Sequence, residues 1–221
     1  MSKAYDAFLK NDSEVDRLLQ IHTEITGTGP GKREGVEVLN KSAIIMICAC
    51  WETYVEDVAN EAAGHLADSI SSSDSIAKDV RKSCVASLGI MKSDEAAWSG
   101  LCLSWKDAIR KNAESLTKSR LGGLNTPKTA NVDSIFCKAL GIQKVSQTWK
   151  WKKMKSATAS STVDALVELR GDLAHRTKAA GTVKKATCSY YRNHIKRVVN
   201  KTEKSISDFL TSTTGKPLSA G

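Results

Sequence analysis

The chain has 221 residues, with 33 Lys+Arg against 24 Asp+Glu, 41% hydrophobic and 5% aromatic residues. That length suits one sizeable domain or at most two small ones, and the apolar share is too high for a disordered chain. No run approaches 18 apolar residues, and Met1–Asp6 has no apolar signal region, so neither a transmembrane helix nor a secretory route is expected.

With only three prolines, long stretches are free to be helical. A first helix is predicted over about 4–26, from Tyr5, Phe8, Leu9, Val15, Leu18, Leu19, His22 and Ile25. The run from Gly27 to Gly31 stops it. A long second helix follows over about 34–70. Its middle, Ala43 to Trp51, is apolar on every side, which predicts a central element surrounded by others. Ser71–Asp74 is a loop leading to a short helix that ends at Gly89. Ser93 reads as the N-cap of a helix running through Trp98 and Trp105 to about Leu116. Leu121–Pro127 is irregular, and Asn131 reads as the cap of a short helix closed by Gly141. Ser161 reads as the cap of the next helix, with Asp164 three residues on. The last helix spans about 183–212 and carries a basic face. The fold class is all-α: a single-domain helical bundle over 1–212, with a long buried second helix, several short extra helices and a flexible tail at 213–221.

The six cysteines form no CxxC pair and no CxxC…HxxxH array, so the spacing of a structural zinc site is missing. They read as reduced thiols in a cytoplasmic protein.

Residues 1–143 carry 17 basic and 19 acidic groups. Residues 144–204 carry 15 basic groups and only Asp164, Glu168, Asp172 and Glu203. Such an imbalance points to a polyanion partner or to a solvated basic face. Within it, Trp149-Lys150-Trp151-Lys152-Lys153 alternates aromatic and basic residues. Either these residues stack bases and pair phosphates, with Lys152 and Lys153 as RNA contacts, or two tryptophans anchor a loop while the lysines face water. The second arrangement is the commoner one.

The most informative stretch is Leu166 to Arg176. On a helical wheel that starts at Val163, Arg170 falls almost at the centre of the apolar stripe. A guanidinium there must meet an acid, for example Glu52, or a cavity, or a second chain. His175 falls outside that stripe, and the two side chains converge only if the helix ends or bends after Gly171 or the Arg reaches round.

Arg170-Gly171-Asp172-Leu173-Ala174-His175 resembles the R-x4-6-H motif of HEPN domains. Other segments resemble the RiboL-PSP-HEPN group: the buried helix reaching Trp51-Glu52, the Leu124-Asn125-Thr126-Pro127 stretch with Val132 and the Ile135…Gly141 helix after it, and Tyr191…Ile195…Val198-Val199. Together they cover most of residues 35–210. The resemblance implies an all-helical bundle that dimerises, with both R-x4-H motifs lining one cleft. It also implies a metal-independent ribonuclease of toxin–antitoxin or antiviral systems, working without a cofactor and restrained or triggered by an antitoxin or sensor protein. In that chemistry the RNA 2′-hydroxyl attacks its own adjacent phosphate. His175 would move protons and Arg170 would stabilise the phosphoryl oxygens. Arg176, Lys178 and the basic last helix would draw in RNA.

Two departures stand out. Many members carry Asn or another polar residue after the Arg, where this chain has Gly171. Some carry Tyr two residues after the His, where this chain has Thr177. Loss of the polar group leaves a second reading open, a non-catalytic module that binds RNA, nucleotide or protein. His22 reads as a core-edge residue, His65 lies near the end of the second helix, and His194 sits among basic residues as a possible phosphate contact.

Overall fold

The structure, a computed structural model, describes residues 1–27, 35–89, 92–93, 103–120, 127–175 and 182–218, without the side chains of Ser119, Arg120 and His175. Among these residues the regular elements are helices: α1 (Lys3–Thr26), α2 (Glu37–Ser69), α3 (Lys78–Leu88), α4 (Trp105–Arg120), α5 (Thr129–Leu140), α6 (Ser156–His175) and α7 (Lys185–Thr214). Short 3-10 turns lie at Ser73–Ser75 and Val145–Thr148.

α2 is the spine. It packs against α1, α4, α5, α6 and α7. By length and composition alone it passes for a membrane-crossing helix. Here its apolar side chains are taken up by the bundle: Ile44, Trp51, Val55, Val58, Ala59 and Ala62 are fully buried. Each large side chain of this kind contributes about 1.5–3 kcal/mol when it leaves water. An aromatic chain crosses the core. Phe8 meets Tyr54 edge-on at 5.8 Å, Tyr54 stacks on Trp51 at 6.0 Å, and Trp51 meets Trp149 edge-on at 5.8 Å.

One expectation about α2 needs correcting. Its middle is not enclosed on every side. Ile45 is 40% exposed, and Val38 and Ala49 are exposed with it. Seven- and four-residue steps place these three on one face, so an apolar stripe of the spine faces outward.

Several boundaries also move. α4 starts at Trp105, where the Ser104 hydroxyl accepts the Asp107 N–H at 3.1 Å. Most of the 93–102 stretch, with Trp98, lies outside the described residues. α5 begins at Thr129 with Lys128 as its N-cap, so Asn131 lies inside the helix. Its first turn is capped from a distance, because the Asp164 carboxylate accepts the Thr129 N–H at 2.7 Å. α6 begins at Ser156, five residues ahead of the expected cap, and Ser161 donates to the Ala157 carbonyl within it. α5 ends at Gly141, whose φ of +94° and 2.6 Å Cβ approach to Ala77 leave room for glycine alone. On α1, Leu9 and Ile25 point to solvent instead of joining the stripe.

The N-terminus is fastened to the interior of α7. The buried Glu203 carboxylate accepts the Ser2 N–H at 2.6 Å, the Ser2 hydroxyl at 2.8 Å and the Tyr54 hydroxyl at 3.1 Å. Burial and the neighbouring Glu203 charge push the Tyr54 phenol well above its usual range, so it remains a donor. α7 runs on to Thr214, Leu218 is buried, and His65 Nε2 donates to the Lys216 carbonyl at 3.2 Å. Of the stretch expected to be a loose tail, Thr213 and Thr214 belong to α7 and Leu218 is buried, while Gly215, Lys216 and Pro217 are exposed.

Candidate active site and nucleic-acid surface

α6 places Arg170. Val163, Leu166, Val167 and Leu173 of this helix are buried, and Arg170 emerges between them, half-buried. The wheel reading of Arg170 on the apolar face therefore holds. Its guanidinium lies beside Cys48 and Glu52 of α2, close enough for the charges to act on one another. No N···O contact within 4.0 Å joins Arg170 to an acid among the described residues. The expected ion pair with Glu52 is thus a longer-range coupling. Burial raises the Glu52 carboxyl, Arg170 pulls it down, Glu56 pushes it up, and the balance stays above the ordinary glutamate value. Burial pushes the Cys48 thiol up to about 12, so it stays protonated and is no nucleophile.

α6 continues unbroken through Gly171 and ends at His175. Positions 170 and 175 are thus about 140° apart on one regular helix. The helix does not end at Gly171, so a regular helical path keeps the two positions on different faces. The side chain of His175, and Arg176 and Lys178 entirely, lie outside the described residues. A Cβ built on Gly171 meets nothing within 4 Å, so the position is open.

The segments that carry the resemblance meet around this helix. Trp51 donates its indole N–H to the Pro127 carbonyl at 3.0 Å, in a buried bond. Thr129 is held by Asp164, its hydroxyl donates to the Ser160 carbonyl at 3.2 Å, and Lys128 pairs with Glu168 at 2.7 Å. The Trp-Glu pair of α2 therefore has two separate jobs. Trp51 clamps the start of α5, and Glu52 faces Arg170.

A family model, RiboL-PSP-HEPN, matches residues 6–208. The chain belongs to the RiboL-PSP-HEPN family. No curated protein and no solved structure matches it. Membership accounts for the all-α architecture, and the matched range includes Arg170 and His175.

The basic C-terminal half of this HEPN domain is partly neutralised. Arg192 donates to both Asp12 carboxylate oxygens at 2.7 Å and also pairs with Asp16. Lys196 joins Asp12 at 3.0 Å, and Lys204 joins Asp208 at 3.0 Å. Burial alone would raise the Asp12 carboxyl, but the hydrogen bonds from Arg192 and Lys196 outweigh it and hold it below the usual carboxylate range. His194 is no phosphate contact. It is 4% exposed, its Nε2–H donates to the Ala159 carbonyl at 3.0 Å, and burial lowers its pKa.

The Trp149–Met154 segment follows the anchor reading at Trp149 and leaves Trp151 partly open. Trp149 is fully buried and donates to the Thr202 hydroxyl at 2.9 Å, which is the anchor. Trp151 is only half-buried, and Lys152 and Lys153 are exposed. Arg197, expected on the basic face of the last helix, lies over the Trp151 ring at 5.7 Å, a contact missed from the sequence together with the exposed Tyr190. Their spacing from Trp151 along the chain hides the contact, although both sit on one face of α7 at positions 190 and 197.

Proposed function

We propose that this HEPN domain is a metal-independent endoribonuclease whose site is composed from two chains. The observation that carries this reading is Arg170. It is a half-buried guanidinium on the apolar face of α6, in the HEPN motif, with no acid within 4.0 Å among the described residues. A cation placed there has capacity left for a phosphodiester. In the transition state charge grows on the non-bridging phosphoryl oxygens, and a bidentate guanidinium stabilises it there. His175, as base, takes the 2′-hydroxyl proton. A second imidazole, from the partner copy, protonates the leaving 5′-oxygen. The bond formed is 2′-O–P and the bond broken is P–5′-O, leaving a cyclic phosphate and a free 5′-hydroxyl. The nucleophile belongs to the RNA.

The composite site draws support from α2. Val38, Ile45 and Ala49 form an uncovered apolar stripe, and one further turn along that face lies Glu52, beside Arg170. A second copy docking on this stripe would bring its own motif to the same seam, which relieves the divergence of positions 170 and 175 within one helix. A nuclease of this kind in the cytoplasm, acting as toxin or antiviral effector, needs restraint by an antitoxin or sensor.

The test is cleavage of total tRNA and a structured mRNA in EDTA, beside Arg170→Ala and His175→Ala. Wild-type fragments with cyclic-phosphate ends are expected. Each variant should lose about 10²-fold or more with unchanged helical circular dichroism. Full activity in both variants overturns the assignment. Salt-sensitive binding without cleavage by the wild type favours the second reading, a binding module whose site lacks the polar group that Gly171 replaces.

A further inference from the structure

A second surface, outside the HEPN motif, has the composition of a strand-binding site. The Trp151–Met154 turn is closed by two backbone hydrogen bonds, Trp151 N–H to the Met154 carbonyl at 3.2 Å and Met154 N–H to the Trp151 carbonyl at 2.8 Å. The two residues at its tip are Lys152 and Lys153. Lys153 has φ +65°, a conformation that costs a non-glycine residue about 1–2 kcal/mol. A lysine held this way at a rigid tip, where glycine would be cheaper, points to a role for its side chain.

Between this turn and α7 lies an open groove of about 620 Å³, whose charged lining residues are Lys152, Lys153, Arg197 and Lys201. Among the described residues no carboxylate lines it. That contrasts with Arg192, Lys196 and Lys204 of α7, which are neutralised by Asp12, Asp16 and Asp208. A second hollow of about 180 Å³ adjoins it, shares Trp151 and Arg197, and reaches Tyr190. Tyr190 is 51% exposed and lies nearly parallel to His194 at 6.2 Å, and His194 packs against Trp151 at 5.3 Å. The buried His194 is fastened to Ala159, so it works as an uncharged spacer that sets the two outer rings apart. From Tyr190 to Lys201 the face runs about 16 Å along α7, the reach of two or three nucleotides.

We infer that this groove binds a single-stranded RNA segment, with Tyr190 and Trp151 stacking bases and Arg197, Lys201, Lys152 and Lys153 pairing the intervening phosphates. Four cations without a facing acid among the described residues supply the salt-dependent affinity, and the aromatic faces make a polynucleotide a better occupant than a bare polyanion. The inference does not need the nuclease reading, because it concerns binding alone.

The test uses the full chain and a fluorescein-labelled oligouridine of about 12 nucleotides, 2′-O-methylated so that no 2′-hydroxyl is present to cleave it. Anisotropy is measured across a salt series. Arg197→Gln/Lys201→Gln should reduce the log–log salt slope by about 1.4, about 0.7 per lost phosphate contact on a single strand. Tyr190→Ala, at an exposed site, should weaken binding by about 5-fold or more. Trp151→Phe, which keeps a ring, should weaken it less. The charge-matched control Lys10→Gln/Lys82→Gln, on exposed parts of α1 and α3, should leave the slope unchanged. The proposal is overturned if the control variant loses as much slope as the groove variant, which would mean diffuse charge. It is equally overturned if Tyr190→Ala and Trp151→Phe both bind like wild type, or if phosphatidylglycerol vesicles displace the oligonucleotide at matched charge. Binding that survives these controls in a protein that cleaves nothing leaves this groove standing and removes the nuclease.

Discussion

Glu52 on α2 and Arg170 on α6 carry opposite charges across one half-buried seam, yet no N···O contact within 4.0 Å joins them. A structural ion pair would close that gap. Here the acid acts on the guanidinium at longer range, and among the described residues no acid occupies its hydrogen-bonding edge, an arrangement that favours a ligand over a partner side chain.

The Glu52 carboxyl is raised by burial, with Arg170 opposing and Glu56 reinforcing, so folding favours its neutral form. The sign follows from linkage: that preference is fully expressed below the ordinary glutamate value and is lost as pH rises through the raised one. Glu52→Gln should therefore melt higher than wild type at pH 7 by a small margin, about 0.5 kcal/mol given its partial exposure, and show no advantage at pH 4. Cleavage should fall in the same variant. A variant that gains stability and keeps full activity would remove Glu52 from the site.

Gly171 is a helix-interior glycine with open space where a Cβ would go. Gly171→Ala should stabilise α6 by about 0.5–1 kcal/mol, read as a higher urea midpoint. Gly171→Asn adds a polar group next to Arg170. Its RNA turnover should exceed that of Gly171→Ala; equal turnover in the two would show that this position supplies nothing to the chemistry.

Ile45 is the centre of the uncovered stripe on α2. Ile45→Asp should halve the mass seen by light scattering at micromolar concentration and abolish cleavage together, with the helical spectrum retained. A wild type that scatters as a single chain while cleaving RNA would rule out the composite site.

Asp12 is held below the usual carboxylate range because Arg192 and Lys196 outweigh its burial. A depressed folded pKa adds stability that is present above the unfolded value and lost as pH falls through the depressed one. Asp12→Asn should cost about 2 kcal/mol near neutral pH, since Arg192 is left 17% exposed with Asp16 alone. The difference from wild type should vanish in strong acid.

The long helices were legible from the sequence because their apolar periodicity runs for many turns, as in α1, α2 and α7. Local cap signals did worse where a distant group does the capping. Asn131 resembles an N-cap, but the group satisfying the first turn of α5 is Asp164, thirty-five residues away on another helix. Arg170 was legible because a cation on an apolar stripe is anomalous in one dimension already. The division of the basic half was not. Which lysines and arginines are neutralised depends on Asp12 and Asp16 of α1, at the other end of the chain. His194 sits among basic residues in sequence and is buried in space, because one face of α7 turns toward Ala159 and Trp151.

The three-residue stretch Pro127–Thr129 is tied to Trp51 of α2 and to Ser160, Asp164 and Glu168 of α6. It acts as a fixed post. The start of α5 is thereby fixed to the same two helices that carry Glu52 and Arg170. The same post makes the two helices flanking the guanidinium move as one: a substitution that loosens Trp51 from Pro127 would be felt as misalignment at a motif forty-odd residues downstream.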